Sequence, residues 1–220
     1  MVGTVTEYTA DWAGDAGLDL EPGFCVSFVR GVEPRQALRR FGVPDGVVRT
    51  GQWADIDAHA GSLSQYDHIP VAALALGPVT LVVERNGYRG SLPECAGPLS
   101  AGTEVLNVHL NPASGLMTLT AFRDGTHLLS VDTDDPDVIT VHDSRAEDIA
   151  ARLPDLVWGA FTPWDGSEES PDSLEDGDVD LLQVACDHLG IRPGLDDVRR
   201  PVVGAAMSLL PPTPDRPEFA

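Results

Sequence analysis

Apolar and polar residues alternate in strand-length runs between residues 70 and 131, and turns that contain glycine separate the runs. Residues 71–76 and 79–84 flank Gly77 and Pro78, and residues 104–110 alternate leucine and valine with asparagine and histidine. Successive side chains of a strand point to opposite faces of a sheet, so this period of two predicts β-strands. Short turns between such strands favour an antiparallel meander.

The stretch LVVERNGYRGS, residues 81–91, combines charged, aromatic and glycine residues. Asn86 and Gly87 are the pair that best accepts positive φ, so a two-residue hairpin loop is predicted there, with Glu84 opposite Arg89. In that hairpin the charges pair across the strands, and Gly90 allows a close approach or a bulge. If the stretch instead forms the rim of a site, Glu84, Tyr88 and Arg89 are its candidate binding residues.

A second hairpin is predicted over residues 117–131. A three-residue loop of Arg123, Asp124 and Gly125 places Leu119 opposite Leu129 and keeps the apolar residues on one face. A two-residue loop of Asp124 and Gly125 mixes apolar and polar residues on both faces and is therefore disfavoured.

The flanking sequence predicts a strand over residues 24–29 and a helix over residues 34–41, which begins at Pro34 and ends before Gly42. Residues 43–69 predict a long loop with a turn or two of helix. Three further helical segments are expected at residues 145–157, 179–189 and 195–210, with Pro201 interrupting the third. Asp178 is the expected cap of the second segment.

These elements predict an α+β fold in which a curved antiparallel meander of about five to six strands packs against an N-terminal helix and C-terminal helices. The expected organisation is one domain over residues 24–210 with an N-terminal extension, residues 1–23. An acidic loop over residues 162–178 is too polar to pack, and residues 211–220 predict a disordered tail.

The net charge of the chain indicates which classes of partner it can bind. The chain has 35 Asp and Glu against 14 basic residues, all of them arginine, and its net charge is −21. Residues 132–197 contain 19 acids and three arginines, so the acidic character is concentrated there. Nonspecific phosphate binding is unfavourable for such a chain, so we expect no nucleic-acid partner and instead a basic protein partner.

Several other classes lack their sequence signals. No apolar run is long enough to span a membrane, and the N-terminus does not resemble a secretory signal. Three widely spaced cysteines indicate ordinary thiols in the cytoplasm. The six histidines show no HxH or HExxH spacing, and the acidic runs lack the pattern of an EF-hand loop. Nucleotide-binding glycine motifs and GxSxG are also absent, so no metal site or cofactor is predicted.

Two further groups are candidate binding residues. Arg30, with three arginines of the N-terminal helix, Arg35, Arg39 and Arg40, forms a basic patch on an otherwise acidic chain. Trp158 and Trp164 bracket the start of the acidic loop, and aromatic residues are enriched at protein interfaces. Each group also has a structural interpretation, as a solvated helix face or as an anchor for the loop.

The segments FCVSFVRGVEPRQALRRFG, LVVERNGYRGS and LSAGTEVLNVHLN, with the later RDG turn, resemble an actinobacterial domain family of unknown function. The resemblance covers roughly residues 24–131. It implies a shared structural signature of six residues: Arg30, Gly31, Glu84, Asn86, Gly87 and Gly90. It implies no activity.

We therefore expect a non-catalytic binding or regulatory protein of the cytoplasm, whose acidic surface engages a basic protein and whose role could be toxin-neutralising. The alternative is a small hydrolase or transferase with a composite site between the sheet and the helices. An enzyme requires a pocket with converging polar groups, whereas a binder requires a broad acidic surface.

Overall fold

The computed structural model describes residues 23–63, 68–111, 113–133, 138–159, 161–162 and 178–208. The strands are β1 Phe24–Arg30, β2 Arg49–Gly51, β3 His68–Leu76, β4 Val79–Arg85, β5 Glu104–Leu110, β6 Met117–Arg123, β7 Thr126–Asp132, β8 Thr140–Val141, β9 Phe161–Thr162, β10 Asp178–Val179 and β11 Val202–Ser208. The α-helices are α1 Pro34–Phe41, α2 Trp53–Leu63, α3 Pro93–Leu99, α4 Glu147–Ala150, α5 Leu153–Gly159, α6 Leu181–Leu189 and α7 Leu195–Val198.

An open sheet of nine antiparallel strands forms the centre of the described chain, in the order β2-β11-β3-β4-β1-β5-β6-β7-β8. The α+β class with an antiparallel sheet is thus confirmed, although the sheet has more strands than the five to six expected. It is also more than a meander, because β1 lies between β4 and β5, and β11 between β2 and β3. A separate pair is formed by β9 and β10.

Helices cover both faces of the sheet, so the core has two layers. On one face, Phe24, Val26 and Phe28 of β1 belong to the cluster that includes residues of α2 and α6. On the other face, Val29 packs in a cluster with residues of α1 and α3. This burial of both faces explains why β1 is apolar at nearly every position. No described helix is long and apolar enough to cross a membrane.

The predicted helix after β1 is confirmed. Pro34 occupies the first turn of α1, and Gly42 ends the helix with φ of 99°, where its N–H donates to the Leu38 and Arg39 carbonyls. Leu38 and Phe41 are buried, as their spacing predicts. The helix that begins after residue 180 is also confirmed, although Asp180 is its N-terminal cap and not Asp178.

Two predictions of local structure were wrong. Residues 43–69 contain β2 and the eleven-residue helix α2, where a loop with a turn or two of helix was expected. Residues 202–208 form β11, where helix was expected, because the segment pairs with both β3 and β2. Gly204 makes that pairing possible, since a Cβ there would lie 2.7 Å from the backbone oxygen of Val71. The predicted helix over residues 145–157 is divided between α4 and α5.

The register predicted for the second hairpin was also wrong. Asp124 and Gly125 form the turn with φ of 49° and 78°, and Arg123 lies opposite Thr126. Ala121 then lies opposite Leu129, which leaves Leu128 as the extra residue of a bulge. Because of this bulge, the apolar residues of β6 and β7 lie opposite one another on the same face of the sheet, although the loop has only two residues.

The predicted N-terminal extension, the predicted acidic loop and the predicted C-terminal tail lie outside the described residues, apart from Gly23, Thr162 and Asp178.

Candidate functional site

The stretch LVVERNGYRGS does not form the predicted hairpin. β4 already has β3 on one side and β1 on the other, so Glu84 lies opposite Val71 and Cys25 and not opposite Arg89. Asn86 has a left-handed φ of 52°, whereas Gly87 does not. After the turn the chain enters a 3-10 helix, Arg89–Ser91, and then α3. We call residues 86–91 the anchored loop.

Glu84 is the residue that anchors this loop to the sheet. Its side chain is fully buried, and its carboxylate accepts the backbone N–H of Gly90 at 2.7 Å and that of Arg89 at 3.1 Å. A buried carboxylate is tolerated when such donors satisfy it. The predicted pairing of Glu84 with Arg89 across two strands was therefore wrong, because the backbone amides of the loop donate to the carboxylate.

Two glycines allow the loop to lie directly on the sheet. A Cβ at Gly90 would lie 2.7 Å from Oγ of Ser27 and 3.0 Å from Sγ of Cys25. A Cβ at Gly87 would lie 2.7 Å from Cβ of Glu84 and 2.9 Å from Cδ1 of Ile69. The close approach predicted at Gly90 is confirmed, and at Gly87 the lack of a Cβ, not a positive φ, is what the fold requires.

Beneath the anchored loop lies a sealed polar cluster, which we define as Glu84, Cys25, Ser27 and Asn107. All four side chains are buried, and the Ser27 hydroxyl donates to Oδ1 of Asn107. Burial, with the neighbouring carboxylate of Glu84, raises the pKa of the Cys25 thiol well above its usual value. The thiol therefore remains protonated, and the cluster presents neither a thiolate nor an accessible hydroxyl to a substrate.

Burial raises the pKa of Glu84 from 4.5 to about 7, against the opposing effect of the N–H groups of Gly90 and Arg89, the Cys25 thiol and the Arg89 charge. The folded state consequently binds this proton more tightly than the unfolded state does. Its contribution to stability is fully present below about pH 4.5 and is lost as the pH rises through about 7.

We predict that Glu84→Gln removes this pH dependence. Relative to the variant, the original protein should lose roughly 2 to 3 kcal/mol of unfolding free energy as the pH rises from about 4 to about 8. Urea denaturation at a series of pH values measures the difference. Glu94→Gln, an exposed position on the neighbouring helix α3, is the control and should show no such trend. A constant difference between Glu84→Gln and the original protein would contradict the prediction.

The other two candidates in the loop differ in exposure. The guanidinium of Arg89 donates to the backbone oxygen of Ser208 at 3.2 Å and so ties the loop to the end of β11. The Tyr88 side chain, by contrast, is 54% exposed. The structure therefore brings Glu84, Tyr88 and Arg89 together, but only Tyr88 offers a broad surface to a partner.

Arg30 lies at the opposite end of β1, roughly 16 Å from Cys25 at the usual rise of a strand. Its guanidinium is 3.9 Å from Oε1 of Glu104. Glu104 also accepts from Arg123 at 2.6 Å and lies 3.3 Å from Nε2 of His188. Asp148 bonds the same Arg123 guanidinium at 2.9 Å. We call these five residues the Glu104 network.

The hydrogen bond with His188, followed by that with Arg123, lowers the pKa of Glu104 from 4.5 to about 2, although burial opposes the shift. Sequence reasoning missed this network. Glu104 is the first residue of a strand and His188 is 84 positions away, so no local spacing connects them. In the part of the chain that the structure describes, no three histidine, cysteine or acidic side chains converge as metal ligands.

The two tryptophans and the arginines of the predicted basic patch are the remaining candidates. Trp158 belongs to α5, but its side chain and the whole of Trp164 lie outside the described residues. In the predicted basic patch, Arg39 pairs with Asp45 at 3.0 Å, and Arg40 donates to the backbone oxygens of Leu99 and Ala101. Both arginines therefore have partners within the chain.

The chain was compared with protein-family models, curated proteins and solved structures. A family model described as "Family of unknown function (DUF6461)" matches residues 1–153, which include both the sealed polar cluster and all of the Glu104 network except His188. No curated protein and no solved structure matches the chain.

Proposed function

The chain belongs to the DUF6461 family of unknown function, and we propose that it is a non-catalytic binding protein whose acidic surface engages a basic protein. The observation that supports this most is the engagement of its arginines by its own carboxylates. At least seven arginines form such ion pairs: Arg30, Arg39, Arg85, Arg123, Arg145, Arg192 and Arg200.

This internal pairing matters because acids outnumber basic residues by 21. Arginines that are bonded within the chain are less available to an anionic partner, whereas the excess carboxylates remain for a cationic one. A single-signed field of this size increases the association rate of oppositely charged proteins and suppresses other partners.

The sealed polar cluster also supports binding over catalysis. Glu84, Cys25, Ser27 and Asn107 include the groups that a hydrolase would use, yet all are buried and the thiol is protonated. Catalysis requires that such groups reach the reacting atoms of a substrate.

We further infer a cytoplasmic protein of actinobacterial origin, for which a toxin-neutralising or regulatory role would suit the charge. The three cysteines are unpaired and buried, which fits a reducing compartment. The absence of lysine fits a GC-rich genome, and the segments shared with the resembled family fit that origin.

Affinity capture from an actinobacterial lysate, followed by titration of the purified partner, tests the proposal. We expect a basic protein whose dissociation constant increases at least about tenfold from low to high salt, because exposed charges are screened. An acidic partner, salt-insensitive binding, or turnover of a small molecule without a protein partner would overturn the proposal and favour the hydrolase or transferase alternative.

A further inference from the structure

We propose that the outer edge of β8 is the docking surface, and that it pairs with an extended, basic segment of the partner as an added antiparallel or parallel strand. The inference rests on the proposed function and specifies its surface. Strand addition of this kind takes affinity from backbone hydrogen bonds and specificity from side chains at alternate positions.

The first observation is the open edge itself. β8 ends the nine-stranded sheet, and no described strand lies on its outer side. The N–H of His142 donates to the Leu128 oxygen, and Thr140 lies opposite Ser130. In an antiparallel ladder the backbone groups of successive residues alternate in direction, so the N–H and C=O of Val141 point away from β7. β8 has two residues, so Val141 supplies one outward donor and one outward acceptor, and such groups at a sheet edge are a template for another strand.

The second observation is the exposure of valine at this edge. Val138 is 53% exposed and Val141 is 50% exposed, and among the large apolar residues of the described chain only Tyr88, at 54%, is as exposed. Val141 lies opposite Leu129 in the ladder, and Val138 lies two residues before β8 begins. An added strand would therefore find exposed apolar side chains at and beside this edge.

The third observation is the charge around the edge, which selects the occupant. The described residues 126–133 and 138–155 contain five acids and two arginines, an excess of three negative charges, in a chain whose net charge is −21. One of the two, Arg145, is bonded to Asp143. A second copy of the chain would bring the same negative charge to the same edge, so pairing of two copies is opposed. A segment rich in lysine or arginine complements the negative charge at this edge. Intervening valine or threonine residues favour the extended backbone that hydrogen-bonds to β8.

A synthetic nine-residue peptide that alternates lysine with threonine or valine, labelled with fluorescein, is the probe. Fluorescence anisotropy measures its binding to the full chain, and hydrogen exchange followed by NMR measures protection of the Val141 amide. We expect salt-dependent binding, protection of that amide in the complex, and an affinity reduced about tenfold or more by Val141→Lys. A peptide that is N-methylated at consecutive residues keeps its charge but cannot donate, and it should bind at least about tenfold more weakly.

Leu63→Lys is the matched variant, since it adds the same charge at an exposed apolar residue away from the edge. It should weaken binding less than about twofold. If both variants weaken binding equally and the N-methylated peptide binds as well as the unmethylated peptide, the edge of β8 is not the binding site. The proposed binding of a basic partner would still hold in that case. If no cationic peptide binds at low salt, the proposed function fails together with the inference. If Val141→Lys converts a dimer to a monomer in sedimentation, a second copy occupies the edge and the inference is overturned.

Discussion

Replacing Glu104 with alanine is expected to lower the free energy of unfolding by about 3 to 5 kcal/mol near neutral pH, the cost of removing one member of a buried ion network. The side chain is only 11% exposed and contacts Arg123 and His188, which belong to different elements. Its loss leaves those two groups without a buried acceptor. Urea denaturation near neutral pH measures the change, and Glu104→Gln, which retains the volume, separates lost charge from lost packing.

The same carboxylate predicts the direction of acid unfolding. Because the pKa of Glu104 is about 2 in the folded state and 4.5 otherwise, its stabilisation is complete above about pH 4.5 and is lost as the pH falls through about 2. The shift corresponds to roughly 3 kcal/mol. Glu147→Ala, an exposed acid of α4, serves as the control and should change stability by less than about 0.5 kcal/mol. A Glu104→Ala variant as stable as this control would contradict the prediction.

Gly87→Val is expected to lower the free energy of unfolding by about 3 kcal/mol or more, through overpacking beneath the anchored loop. The new Cβ would lie within 2.9 Å of Glu84 and Ile69, and valine adds two methyl groups beyond it. Because Glu84 holds the loop, we also expect the amides of Arg89 and Gly90 to exchange faster in the variant. Thermal or urea unfolding, together with hydrogen exchange, measures both effects.

Gly46→Val is the matched control for this substitution. A Cβ at Gly46 meets no atom within 4 Å, and its φ is not in the left-handed region. It should cost less than about 1 kcal/mol. Equal destabilisation by the two valines would mean that the close contact at Gly87 does not restrict the fold.

The local sequence pattern was sufficient to predict those elements whose neighbours in the sequence are also their neighbours in the fold. The helix α1 carries its own start and stop at Pro34 and Gly42, and the connection through Gly77 joins two strands that pair with each other. β11 shows the limit of this approach. Its valine, alanine and methionine residues suit a helix as well as a strand, and the choice is made by β2 and β3, which lie more than 120 residues earlier.

The sites were harder to predict because their contacts are not local. Asn86 and Gly87 have the sequence of a tight hairpin, but β1 and β3 already occupy both sides of β4, so the following residues could not pair with it. Glu84 is bonded by the backbone amides of Arg89 and Gly90, where the sequence predicted cross-strand pairing with Arg89. The Glu104 network combines β1, β5, β6, α4 and α6, and only a folded chain reveals it.

The place of β11 between β2 and β3 has a consequence for synthesis on the ribosome. The matched family region ends at residue 153, yet the sheet receives β11 only when residues 202–208 have emerged. Until then β2 has no strand beside it, β3 has an open edge, and α2 lacks one of the two strands on which it rests. A nascent chain with such an edge is prone to aggregation. This part of the sheet therefore assembles only after residue 208 has left the ribosome, and a fragment cut at the family boundary would keep its edge exposed.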